Sequence, residues 1–202
     1  MRHSWRDERA KHPATLDDHA QLCRAALALH EATGDDRYLR QAQEWVDLLD
    51  RHYRDENGGG YFFAADDTAD IILRTKNAAD NATPSGNGAL VGVLARLFYL
   101  TGEDRYRARA DEVIATFSGE LDRSFFSLAT LLNSNELLQM AQQIVVIGDR
   151  AAADTRAMSC LRRLLAFSIC SCSAKASRSA GVLRFSSWRF IVLSGVGYNG
   201  TK

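Results

Sequence analysis

The sequence predicts an all-α fold of antiparallel helix hairpins, with one small β-hairpin near residues 61–73. Three observations carry this. Thr33-Gly34-Asp35-Asp36-Arg37-Tyr38 recurs as Thr101-Gly102-Glu103-Asp104-Arg105-Tyr106, an internal repeat at an offset of 68 residues. Apolar residues on both sides of each hexapeptide recur at three- and four-residue spacing, the period of a half-buried helix. Small residues crowd the first helix of each pair: Ala20, Ala25, Ala26 and Ala28, then Gly86, Gly88, Ala89, Gly92 and Ala95.

The elements follow in order. Residues 1–13 are polar and charged, and Asp7–His12 reads as a loop ending at Pro13. From Leu16 the pattern turns helical through Ala20, Cys23, Ala26 and Leu27. Thr15 is the expected N-cap, and Asp17 and Asp18 fall in the first turn, where the helix dipole favours negative charge. Gly34 stops this helix, and Asp35 or Asp36 caps a second that carries Tyr38, Leu39, Ala42, Val46 and Leu49. Asn57-Gly58-Gly59-Gly60 marks a turn. Tyr61-Phe62-Phe63 and Ile71-Ile72-Leu73, on either side of a polar bend at 66–70, read as the paired strands. A third helix is expected from about Ser85 to Leu100, a fourth from Asp104 to Phe117 and a fifth from about Ser124 to Ala141. Gln143–Ile147 reads as a short strand.

Net charge is zero, but its distribution is not uniform. All 25 acidic residues lie at or before Asp154, where 17 basic residues leave a net −8; residues 155–202 carry +8. An acidic body excludes nucleic acid as the expected partner, because phosphate recognition needs concentrated basic surface. No body segment has the run of about 18 apolar residues that spanning a bilayer requires. No signal peptide is evident at Met1–Glu8, so a cytoplasmic location is expected. Cys23 sits on a helix's apolar face as a buried thiol, and Cys170-Ser171-Cys172 lacks redox or zinc spacing. The five histidines (His3, His12, His19, His30, His52) show no paired ligand spacing, so neither a metal nor a cofactor is expected.

The richest stretch is Asp80-Asn81-Ala82-Thr83-Pro84-Ser85-Gly86-Asn87, which gathers an acid, two amides and two hydroxyls around one of only two prolines. The repeat maps Asp17 onto Ser85, Asp18 onto Gly86 and His19 onto Asn87. Both polar clusters therefore begin the first helix of a pair, and the two should converge at one end of the stack. Free N–H groups and the positive dipole end there suit hydroxyls, carboxylates or phosphates.

Leu16-Asp17-Asp18-His19-Ala20, the Gly58–Phe63 run, Asp66-Asp67 and Asp80–Asn87 together resemble the thioredoxin-domain-containing proteins related to the spermatogenesis-associated thioredoxin-like protein. The resemblance covers about residues 8–158. It implies part of an (α/α) six-hairpin toroid, similar to N-acylglucosamine 2-epimerases and many glycoside hydrolases. Members of that family often carry Tyr at the position of His19. The thioredoxin-like domain and the earlier hairpins of the family pattern are not found in this sequence, so a fragment is expected. Residues 159–202, basic and rich in Ser, Cys and Arg, depart from the pattern and are expected to be a non-native or disordered tail.

Each chemical candidate has a structural counterpart. Asp17 and Asp18 suit acid–base work or a grip on sugar hydroxyls, or simply stabilise the first turn. His19 suits a general base or a hydrogen-bonded structural role. Asp66-Asp67 suits a cation or sugar, or a solvated bend. Ser85 and Thr83 are caps or ligands, and Asp80, Asn81 and Asn87 are left to face a pocket. The nominated catalytic acids are Asp18 and Asp80; Asp17, His19, Asn81, Thr83, Ser85 and Asn87 are the nominated binding residues for a sugar-like small molecule. The alternatives are a non-catalytic interaction or scaffold module, or an inactive truncated product that self-associates through exposed apolar faces.

Overall fold

A computed structural model describes residues 1–69, 71–146, 153 and 190–194. The chain divides into two compact units, Met1–Gln139 and Met140–Lys202. The fold is mostly helical with a small antiparallel sheet, as the sequence predicts.

The first unit opens with strands β1 (Arg2–Arg6) and β2 (Arg9–Pro13), paired antiparallel with Arg6 opposite Arg9. Asp7 and Glu8 between them take φ of 52° and 57°, the left-handed pair of a type I′ turn. This hairpin replaces the expected loop. Its sequence lacks the Asn-Gly signature, and its strands alternate no apolar face, so no pattern announces it. Conversely, residues 61–73 hold no strand among those described. Tyr61 makes one isolated bridge to Arg54. Phe62 N–H donates to Tyr53 O (2.8 Å), Phe63 N–H to Thr75 O (2.8 Å) and Leu16 N–H to Phe63 O (2.9 Å). The backbone of this segment is thus shared among three different neighbours, leaving Ile71, Ile72 and Leu73 without a partner strand and exposed.

Helices α1 (Leu16–Thr33), α2 (Asp36–His52), α3 (Gly86–Thr101) and α4 (Asp104–Phe117) form the two hairpins of the repeat. Their turns are equivalent: Gly34 (φ 71°) closes α1 and Gly102 (φ 74°) closes α3, in a left-handed cap that glycine adopts without a Cβ clash. Thr15 caps α1 in a reciprocal box with Asp18, Asp35 caps α2 through Arg37 N–H, and Ser85 caps α3 through Gly88 N–H.

A 3₁₀ turn at Phe126–Leu128 leads into α5 (Ala129–Met140), which starts later than expected. Within Met1–Gln139, α3 packs against both α1 and α4. It also meets α5, where a Cβ on Gly88 would lie 3.0 Å from Leu131 N and one on Gly92 would lie 2.9 Å from Ser134 Oγ. That central position explains why Leu90, Val91, Val93, Leu94, Ala95 and Leu97 are all fully buried: a helix covered on several sides is apolar all round. Ion pairs link α2 to α4 instead, Arg105 to Asp47 at 2.7 Å and Arg109 to Asp50 at 3.7 Å. Cys23 lies in the core as expected, its thiol pushed up to about 12 by burial.

In the second unit, β3 (Gln142–Val146) pairs in parallel with β4 (Phe190–Ser194). The β4 residues fall within the 159–202 segment. The composition break at 158/159 lies outside the described residues. Among those described, no helix is long and apolar enough to cross a membrane.

Candidate functional site

The two polar clusters do converge. Asp17, in the first turn of α1, accepts a hydrogen bond from Gly86 N–H, in the first turn of α3. Burial raises the Asp17 carboxyl, against the lowering effect of that bond. Asp17, Asn81, Thr83, Ser85 and Asn87 share the wall of a cavity of about 80 Å³ with Leu16, Phe63, Asn77 and Ala79. At roughly 30 Å³ per water, this holds a few waters and is too small for a sugar ring.

Most of the nominated side chains there are engaged with backbone. Asp80 accepts from Ser85 N–H (2.9 Å, Oδ1) and from Thr130 N–H (2.8 Å, Oδ2), holding the starts of α3 and α5 together. Ser85 donates its hydroxyl to Ala78 O at 2.8 Å while accepting from Gly88 N–H at 3.2 Å. Asn87 is buried and acts as a surrogate backbone: Tyr61 N–H donates to its Oδ1 (3.0 Å), and its Nδ2 donates to Tyr61 O and Asn77 O (both 2.9 Å). Asn81 and Thr83 remain exposed.

Asp18 is engaged in a similar way. Thr15 donates to its Oδ2 from both N–H and hydroxyl (each 2.8 Å), and His3 Nδ1 lies 2.8 Å from the same oxygen. Burial pushes this carboxyl up, but the bonds from Thr15 and His3 outweigh it and hold it below the usual range. The contact with His3 comes from the unexpected hairpin.

A larger cavity, about 490 Å³, opens at the same end of α1. Its wall includes Ala14 just before α1, His19 from the start of α1, Leu48 and His52 from the end of α2, Tyr53 just after it, and Asp67 and Thr68 from the following loop. This volume lies within the range of small-molecule sites. His19 is only 3% exposed. Burial lowers its pKa, helped by the nearby N-terminal amino group and opposed by Asp18, so the imidazole is neutral at pH 7. It packs edge-on against Tyr53, with centroids 5.5 Å apart, and its Nδ1 has no hydrogen-bond partner among the described residues. Tyr53 donates its hydroxyl to Ala14 O at 2.7 Å and is pushed up to about 12 by burial and the nearby Asp67 and Asp18.

Of the nominated residues, then, only His19 reaches the larger cavity. Sequence reasoning missed His52, Tyr53 and Thr68 as its companions. It weighed Asp66 and Asp67, and their signal was the paired acids at a bend. His52 is the last residue of α2, and Asp66 N–H donates to its carbonyl at 2.9 Å, so a backbone bond brings together residues 14 apart in sequence. His52, Asp66 and Asp67 offer ligand atoms within 4.8 Å of one another, a grouping that scattered histidines in the sequence did not suggest.

No family model matches the chain. It is 33% identical over 145 residues to spermatogenesis-associated protein 20 of rat and of human. It is 28% identical over 137 residues to an uncharacterized protein of Caenorhabditis elegans, covering 67% of this chain and 18% of that one. The chain thus spans less than a fifth of the length of these relatives. Over 71% of its own length, it is homologous to spermatogenesis-associated protein 20, which supports a family like that protein's.

Proposed function

We propose that this chain is part of a carbohydrate-associated, epimerase-like (α/α) toroid of a thioredoxin-domain-containing protein, and that it binds a sugar-like small molecule where its first-of-pair helices begin. The observation that carries this reading is the 490 Å³ cavity at the start of α1, with the buried, neutral His19 in its wall. Tyr53, Thr68 and Asp67 supply the mix of aromatic surface and polar groups that a polyol needs. The repeat and the close-packed, small-residue helices support the toroid. The acidic body supports a small partner rather than nucleic acid.

Binding is favoured over turnover. An epimerase needs a base beside a carbonyl, and a glycosidase needs two carboxylates across a bond. Asp80 directs both carboxylate oxygens to backbone N–H groups, and Asp18 serves Thr15 and His3. The same observation favours a second reading, a non-catalytic scaffold whose polar clusters hold helix ends. Titrating the full chain with mono- and disaccharides by calorimetry separates the two. Saturable binding that His19→Ala abolishes supports the sugar site. No heat at millimolar sugar leaves the scaffold.

A further inference from the structure

We propose that His52, Asp66 and Asp67 form a binding site for one divalent first-row transition cation at the edge of the 490 Å³ cavity. Their ligand atoms lie within 4.8 Å of one another. Two donors each about 2.0–2.2 Å from a shared ion sit at most about 4.4 Å apart, so small side-chain rotations close the triad. Its frame is already fixed: Asp66 N–H donates to His52 O at 2.9 Å, Arg74 Nη1 reaches the same carbonyl at 3.4 Å, and His52 Nδ1 lies 2.9 Å from Asp66 Oδ1, a contact the cation would replace. One imidazole and two carboxylates supply a borderline donor set and two negative charges, which suits manganese or zinc.

The cavity supplies what three donors lack. His52 and Asp67 both face it, leaving coordination positions for water or a ligand oxygen. An independent observation points to an occupant there. His19, 3% exposed on the same cavity wall, has an Nδ1 without a partner among the described residues. A buried ring nitrogen left unpaired is costly, and a small turn of the ring that opened this atom to the cavity would let a ligand or metal-bound water relieve that cost. Basic groups oppose the cation: Arg2 lines the cavity and Arg74 bears on Asp66.

The test uses Mn²⁺ alone with the full chain, followed by electron paramagnetic resonance. Manganese is a hard ion that passes over the thiols of Cys160, Cys170 and Cys172. One Mn²⁺ per chain is expected, displaced by Zn²⁺. Asp67 accepts no side-chain hydrogen bond among the described residues, so Asp67→Asn keeps the fold, checked by circular dichroism, while weakening Mn²⁺ at least about tenfold. Asp111→Asn, on the exposed face of α4, leaves binding unchanged. Equal affinity in wild type and Asp67→Asn, or no bound Mn²⁺ at millimolar concentration, overturns the proposal. No sugar is present in this titration, so its outcome is independent of the sugar-binding reading.

Discussion

Asp80 shows how one carboxylate can stabilise two helices at once. It takes the free N–H of Ser85 at the start of α3 and that of Thr130 at the start of α5. Hydrogen bonds to an ionised group each contribute roughly 1.5–3 kcal/mol. Asp80→Ala should therefore lower unfolding free energy by about 3 kcal/mol in urea titrations, and Asp80→Asn by less, because its remaining oxygen still accepts one bond. Lys76 and Asp55 make a different test. The Lys76 hydrogen bond at 2.7 Å, with help from Gly58 N–H, lowers the Asp55 carboxyl to about 2. A depressed folded pKa means stability present above the unfolded value near 4 and lost as pH falls toward 2. The melting-temperature gap between wild type and Lys76→Met should be open at pH 6 and closed by pH 2. A gap that persists at pH 2 would assign it to the packing of the lysine stem instead. At this scale the sequence revealed local partners well. Thr15 with Asp18 and Ser85 with Gly88 are three residues apart, and side-chain type predicted the caps. Asp80 with Thr130 is invisible by the same logic, because 50 residues separate donor from acceptor.

At the scale of elements, α3 decides the packing. Gly88 lets Leu131 N approach to 3.0 Å of where a Cβ would stand, with Ser85 Oγ at 2.7 Å. Gly88→Ala should cost about 1–3 kcal/mol by overpacking, although alanine is the better helix former. A neutral or stabilising result in thermal melts would show that α5 shifts freely. The helices themselves were legible: α4 runs over the expected residues, and α1 starts and stops at its expected signals. The loop expected at Asp7–His12 and the hairpin expected at 61–73 failed for opposite reasons. Residues 2–13 pair through backbone and a Asp7-Glu8 turn that carries no glycine. Residues 61–73 have the right composition, but Tyr53, Thr75 and Leu16 capture the backbone of Tyr61–Phe63 first. Composition reports what a strand prefers, whereas the available edges decide which segment becomes one.

At the scale of the whole molecule, the repeat reveals an unfinished surface. Leu22 and Leu29 on α1 align by the offset with Leu90 and Leu97 on α3. The α3 residues are fully buried, whereas Leu22 is 37% and Leu29 45% exposed. An apolar pair exposed in this way favours self-association. Sedimentation velocity should show association that grows with concentration, and Leu22→Lys with Leu29→Lys should reduce it; a concentration-independent monomer would rule it out. The candidate site was half legible at this scale. The repeat predicted that Asp17 and the Asp80–Asn87 stretch meet, and Asp17 does hold Gly86 N–H. The larger cavity depends on a loop and a hairpin that repeat nowhere in the chain, so no internal symmetry pointed to it. The Asp80 bridge has a kinetic consequence too. A single side chain ties Ser85 to Thr130, so an opening that swings Asp80 away frees both helix starts together. The two amides should exchange with deuterium at a common rate, and that shared rate would mark α3 and α5 as one cooperative opening unit.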